Sequence, residues 1–502
     1  MLGRSLINIL PCAILSVSHA KTITVCSSGC DHTSINDAIA AADSGDVIQL
    51  ASEVYAEGAV IDTLGKPLIV RGTVDADGEP NSTLDGGGTH RVIQCVGGEG
   101  LETVFENLVI RSGSTTTDGG GMYVEKSGPT IGNCHFRSNV ATNGGGLFNR
   151  SSRTNLVDCV FEENTASAGG GGIANSNSRC TMNRVTLRDN TATDGGGMAD
   201  RSGSTTTVVD GTFEGNVAVD SGGAAELIAA DSQFENCTFE DNVASISGGA
   251  VEVFLSGPTF ARCTFVGNQA TGASARGGGI HHDDFCRSRL DGCEFRDNTA
   301  GLGGAVANDS PEPASKNPLI IVRCDFLRNT ATVGGGAIHN ERYSPDIRES
   351  TFEANSAPIG GGIRNTDRSS PTIDQVAFVG NGAPTGSGGA VANEQQSDPK
   401  IVDSSFVQNS AQDGGAVYSS TSRPTLIDCI FTGNGLDTIF GDATTASKPC
   451  VPGDIDGDGD VDADDHAALG SQLGICPGDL DGDGLVDASD LGMLIAFWGG
   501  CP

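Results

Sequence analysis

Apolar and polar positions along this chain follow a phrase that returns twelve times. Each phrase has an aromatic or Leu anchor, an Asn three residues later, and a glycine run about ten residues after the anchor. The anchors are Phe136, Phe161, Leu187, Phe213, Phe239, Phe265, Phe295, Phe326, Phe352, Phe378, Phe406 and Phe431, spaced 25 to 31 residues apart, and the Asn column runs from Asn139 to Asn434. The residue five before each anchor is apolar, from Ile131 to Leu426, and so is the residue after each glycine run, from Met122 to Val417. Such a period without a helical pattern predicts one coil per phrase, with three short strands per coil aiming apolar side chains inward. Glycine permits positive φ at the corners, and Asn is expected to share that left-handed role. Parallel strands stack at about 4.8 Å, so about 12 coils make a rod of roughly 58 Å, with the Asn side chains forming an amide ladder.

The GG[AG]-[ILVM] and Phe-x-x-Asn phrases resemble the polymorphic outer-membrane-protein repeats of chlamydiae and, more broadly, right-handed single-stranded parallel β-helix proteins of pectin-lyase type. The resemblance covers about residues 105–441. It implies an all-β solenoid, and in the chlamydial family an adhesive domain exposed at a surface. Upstream, Ile35, Ala38, Ile39 and Ala42 form one helical face, and Gly45 to Leu50 alternates like a strand. This helix-then-strand entry resembles the N-terminal cap of pectin-lyase-like β-helices, which covers the open edge of the first coil. Two longer connections, Thr271 to Arg276 and Asp309 to Pro318, are expected to rise from neighbouring coils and wall a groove.

Net charge is −35, which opposes nucleic acid or an anionic membrane as partner. Arg4, an apolar stretch from Leu6 to Val17 and Ser18-His19-Ala20 read as a secretory signal, so a secreted or cell-surface bacterial protein is expected. No later stretch reaches the ~18 apolar residues of a membrane span. Seven cysteines (Cys134, Cys159, Cys237, Cys263, Cys293, Cys324, Cys429) stand two residues before an anchor. That shared register reads as small buried hydrophobes, with inter-coil bridges between Cys237 and Cys324 as the alternative. Cys26 and Cys30 are expected to close a small loop.

The sharpest chemistry lies near the C-terminus, where residues 451–502 hold twelve Asp and neither Lys nor Arg. Asp454, Asp456, Asp458, Asp460 and Asp465 recur 25 residues later as Asp479, Asp481, Asp483, Leu485 and Asp490, with Gly459 and Gly484 at the sharp turn. Acidic residues at loop positions 1, 3, 5, 9 and 12, a backbone carbonyl at position 7 and Gly at 6 make an oxygen cage suited to Ca²⁺. Pro-Gly pairs before each loop leave room only for the outgoing helices. These duplicated half-EF-hands resemble the type I dockerin domain, a small α module, over residues 453–499. The resemblance implies bound Ca²⁺ and a cohesin-like partner, although Ala463-Asp464 and Ala488-Ser489 replace the usual Ser-Thr pair. The expected organisation is a signal peptide (1–20), a cap with first coils (21–107), the β-helix repeats (108–441), a linker (442–452) and the dockerin-like domain (453–502).

Two residues past each glycine run the side chain is expected to face solvent. That column reads Tyr123, Phe148, Ala174, Ala199, Glu226, Glu252, His281, Ala307, His339, Arg364, Ala392, Tyr418. Glu226 and Glu252 would lie one rung apart, about 5 Å, with His281 next. Two carboxylates at that spacing suit a retaining glycosidase, and with His and Arg they suit a lyase acting on a uronic acid. Glu226, Glu252 and His281 are thus the candidate catalytic residues, thickened by His282, Asp283 and Asp284, against a bland reading as a solvated polar stripe. Three functions stay open: a binder of polysaccharide or another surface ligand, a polysaccharide lyase or glycosidase, and an adhesin or surface-layer component.

Overall fold

The computed structural model describes residues 20–284, 286–310, 319–435 and 437–446. The acidic repeats of 453–502, most of the expected signal segment and residues 311–318 of the second long connection lie outside the described residues. The rest winds into a parallel β-solenoid of about 16 coils. Every named strand pair is parallel, and within the repeats like residues align: Phe136 opposite Phe161, Phe239 opposite Phe265, Phe406 opposite Phe431. The count exceeds the expected twelve because the cap region is itself coiled. Ile69–Arg71 and Ser82–Asp85 both pair with Val104–Arg111, which pairs with the first repeat at Thr130–Arg137. Those early coils keep the inward alternation, with Val70, Phe105 and Ile110 fully buried, but lack the Phe-x-x-Asn phrase.

The expected helix spans Ile35–Ala41, and Ser34 caps it by accepting a hydrogen bond from the Asp37 amide. Ile35, Ala38 and Ile39 bury against the first coil, and Lys66 Nζ donates to the terminal carbonyls of Ile39, Ala40 and Ala42. Cys26 and Cys30 form a disulfide on this cap. The seven in-register cysteines are free thiols, all buried except the half-buried Cys429, in line with the small-hydrophobe reading.

Each coil places an anchor strand and the strand before it in one continuous 30-stranded sheet, while the strand after the glycine run joins a 15-stranded sheet. Short strands between anchor and glycines, such as Val140–Ala141, add an 8-stranded strip. The Phe rings stack along the interior with centroids 4.5 to 5.0 Å apart, from Phe136–Phe161 to Phe352–Phe378. Burial of each ring contributes about 1.5–3 kcal/mol.

The Asn ladder forms, in a different role from the left-handed one expected. Positive φ falls on the residue before each Asn, as at Ser138, Glu163 and Asp189, while the Asn side chain turns inward. Asn164 shows the pattern. Its Oδ1 accepts from the backbone amide (3.1 Å) and side chain (3.0 Å) of Asn139, and its Nδ2 donates to the Phe136 carbonyl (2.9 Å) and Asn190 Oδ1 (3.0 Å). Both side-chain hydrogens and two acceptor sites are thereby used in a fully buried position, which is what makes a buried amide tolerable.

Candidate functional site

The strand after each glycine run alternates core, surface, core, surface. In Ile280–Asp283 the first and third residues point into the solenoid and the second and fourth point out. In-register stacking aligns Glu226 with Glu252 and Glu252 with His281, as the spacing predicted. The expectation of free solvent exposure fails, because Glu226 is 5 % exposed, Glu252 8 % and His281 4 %. Each is engaged by a charged partner instead: Glu226 by Arg201, Glu252 by His281, and His281 by Asp309 as well. Gly277 sits at φ 63°, where a Cβ would lie 2.1 Å from the Ile280 carbonyl oxygen. Arg276, immediately before this glycine, extends to Asp309 and Glu341 on the two strands stacked after Ile280–Asp283. Asp194 precedes Gly195 (φ 58°) in the same way. Glycine elsewhere in this strip leaves room for long side chains: a Cβ at Gly169 would meet Arg201 and one at Gly334 would meet Arg364.

The charged residues along this face form three separate groups of ion pairs. Arg201 holds Glu226 at 2.6 Å and lies 3.5 Å from Asp194. His281 Nδ1 lies 2.9 Å from Glu252 Oε1, and its Nε2 lies 3.1 Å from Asp309 Oδ1. Arg276 reaches Asp309 at 2.6 Å and Glu341 at 2.9 Å, and Arg364 pairs with Glu394 at 2.8 Å. Burial alone would lower the pKa of His281, but Glu252 and Asp309 outweigh it and raise the value to about 10. With carboxylates on both ring nitrogens, His281 is an imidazolium that donates twice. Burial pushes Glu226 up to about 7 against the pull of Arg201. It lifts Asp283 to about 6, helped by repulsion from Asp309. His339 falls to about 3 through burial and the neighbouring Arg364 and Arg276 charges.

Two members of the expected cluster sit elsewhere. His282 points inward, fully buried, with Nδ1 2.8 Å from Asn308 Oδ1 in a second internal ladder that runs on through Asn340 and Asn365. Asp284 occupies the left-handed corner after the strand (φ 47°). Arg201, Arg276, Asp309 and Glu341 were not singled out from the sequence. Asp309 and Glu341 each stand two residues beyond a column residue, so strand alternation alone would have placed them on the same face. Arg276 and Asp309 entered the sequence reading only as the last residue of one longer connection and the first of the other, with no charge pairing expected of them.

Aromatic pairs close both ends of the column. Tyr123 stacks on Phe148 at 5.7 Å with the Arg91 guanidinium over the Tyr123 ring, and Tyr418 stacks on Phe440 at 5.4 Å. Ser419, Ser420 and Gly441, neighbours of the second pair in sequence, help line an open polar depression of about 580 Å³. Among the described residues no group of three or more His, Cys, Asp or Glu is arranged to hold a metal ion. No helix among them is long and apolar enough to cross a membrane.

A model of the right-handed beta helix region matches residues 120–310, 227–393 and 278–448, well over half of the chain. The chain belongs to the right-handed β-helix family. No characterised protein sequence matches it significantly. Three solved structures share the β-helix likeness at low similarity. The receptor-binding domain of the siphovirus 9NA tailspike is 11 % identical (TM-score 0.36, covering 86 % of this chain and 77 % of that one). A DFA-IIIase from Arthrobacter chlorophenolicus is 14 % identical (0.29; 81 % and 89 %). The A-module of an Azotobacter vinelandii mannuronan C-5 epimerase is 13 % identical (0.25; 83 % and 94 %). At these scores the likenesses carry no argument about the ligand or chemistry of this β-helix.

Proposed function

We propose that this protein is an exported β-helix that binds an extended polysaccharide along the outer face of its 15-stranded sheet, with the C-terminal acidic repeats serving as a calcium-binding attachment module. The observation that carries the reading is the departure of one outer column from the monotony of the rod. The inner columns repeat Phe, Asn and Gly for packing reasons, whereas this column has aromatic pairs at both ends and an ion-paired middle. Aromatic faces with a few fixed polar groups are the usual lining of a small-molecule or sugar site. The ion pairs hold those groups in place before any ligand arrives. From Tyr123 to Tyr418 the column spans eleven rungs, about 50 Å at ~4.8 Å each, which suits a polymer better than a single sugar.

Export follows from the N-terminal pattern of charge, apolar stretch and small residues. Calcium follows from the duplicated Asp spacing, in which Asp454, Asp456, Asp458, Asp460 and Asp465 would hold one ion and Asp479, Asp481, Asp483, Asp490 and the Leu485 carbonyl a second. A cohesin-like module is the corresponding partner. The test is a glycan array with the full chain: binding to a defined set of glycans is expected, weakened by Tyr418→Ala, and no binding to any glycan refutes the reading. A second reading, cleavage of the bound glycan, is favoured by Glu226, whose value near 7 falls in the range of a general acid. Product release that is abolished by Glu226→Gln and Glu252→Gln would establish it, and absence of products removes it.

A further inference from the structure

Cysteines along the rod fall into runs. The position two residues before each anchor reads Cys134, Cys159, then Val185 and Gly211, then Cys237, Cys263, Cys293, Cys324, then Ser350, Val376, Ser404 and finally Cys429. Within the runs the flanking anchors stack in register, with ring centroids 4.5 Å apart at Phe136–Phe161, 4.6 Å at Phe239–Phe265 and Phe265–Phe295, and 5.0 Å at Phe295–Phe326. Consecutive thiols are therefore one rung apart, about 4.8 Å, inside the 4.4–6.8 Å Cα separation that a disulfide accepts. In the longer run, side chains touch in sequence: Cys237 with Cys263, Cys263 with Cys293, and Cys293 with Cys324. The four coils of this run are the ones whose next strands carry Glu252, His281, Asp309 and Glu341.

We propose that the two even-numbered runs are sites of inter-coil cross-linking, with disulfides Cys134–Cys159, Cys237–Cys263 and Cys293–Cys324. Cys429 has Ser404 on the coil before it and stays a thiol. The oxidant is a small-molecule or protein disulfide met as the coils close, before the thiols are shut in the core. A thiolate of one coil attacks a sulfur of that disulfide and expels one thiol. The neighbouring thiolate then attacks the mixed disulfide and expels the second. The two cysteines lose two protons and two electrons, and the oxidant leaves as two thiols. The bridges tie together the coils whose in-register stacking assembles the Glu252–His281–Asp309 ion pairs.

Mass spectrometry of the full chain, refolded with glutathione disulfide and alkylated in denaturant, tests the pairing. Cross-linked peptides joining the three named pairs are expected, with Cys429 alkylated throughout. Alkylation of all six cysteines to the same extent as Cys429, or a Cys263–Cys293 bridge in place of the two named bridges of its run, overturns the proposal. In Cys263→Ser, a change to the residue already present at Ser350 and Ser404, Cys237 should become alkylated while Cys293–Cys324 persists. A new partner for Cys237 in that variant would equally overturn it.

Discussion

Asn298 sits in the middle of the amide ladder, fully buried, and its replacement by Ala gives a large and calculable loss. Four hydrogen bonds disappear. Nδ2 donates to the Phe265 carbonyl and to Asn329 Oδ1, both at 2.9 Å, and Oδ1 accepts from the backbone amide and the side chain of Asn268, both at 3.0 Å. At about 1 kcal/mol net apiece the bonds account for ~4 kcal/mol. The buried Asn268 amide is also left without an acceptor, which adds ~1–3 kcal/mol, so Asn298→Ala should cost about 5–7 kcal/mol. Asn434, at the end of the ladder, is half-buried and makes three such bonds. Water can replace its partners, and Asn434→Ala should cost about 1–2 kcal/mol. Urea unfolding of both variants, followed by circular dichroism and extrapolated linearly, gives the comparison. A loss at Asn298 within about 1 kcal/mol of that at Asn434 would show that the ladder is a by-product of stacking and contributes little to it.

Three further outcomes follow from named atoms. Gly277→Ala should destabilise by several kcal/mol because its Cβ collides with backbone, while Gly203→Ala, also at positive φ but with nothing within 4 Å, should cost only the ~1–2 kcal/mol of the left-handed conformation; equal losses in thermal unfolding would refute the close-corner account. The His281 pKa is raised from 6.5 to about 10, so its contribution to stability is complete below pH ~6.5 and is lost as pH rises toward 10. His281→Gln should flatten that alkaline fall in melting temperature, and an unchanged profile would count against the double ion pair. His282, lowered to about 3, has the opposite sign and costs stability as pH falls from 6.5 toward 3. Calorimetry of the full chain should show two Ca²⁺ per molecule, reduced to one by Asp456→Ala and again to one by Asp481→Ala alone; no calcium heat would end the proposal for the C-terminal repeats.

Much of the rod was legible because its stabilising contacts are periodic. Phe, Asn and Gly recur where one coil must meet the next, so their spacing alone gave strand positions, inward faces and register. The first coils were harder to see, since Val70 and Phe105 do the same packing without the Asn phrase, although Ile110 stands in register with the Phe136 anchor as its spacing suggests. Alternation within a strand correctly put Glu226, Glu252 and His281 on the outer face, and applied one residue further it would have sent His282 inward. What the spacing could not show was which charged side chains would meet across neighbouring coils. Arg276 bridges Asp309 and Glu341, Arg201 holds Glu226, and Glu252 pairs with His281, and the stripe expected to face solvent is largely buried in its middle. The partners that close the site come from a corner and from the next position on the same strand face, and neither recurs from coil to coil.

Hydrogen–deuterium exchange of the full chain, with and without the tightest glycan found on an array, tests the central claim most directly. Protection is predicted in the strands Ala225–Ile228, Val251–Phe254, Ile280–Asp283 and Val417–Ser420 of the 15-stranded sheet, with the anchor strands unchanged. Protection that avoids these strands and falls on another face of the rod or on residues 453–502 would contradict it.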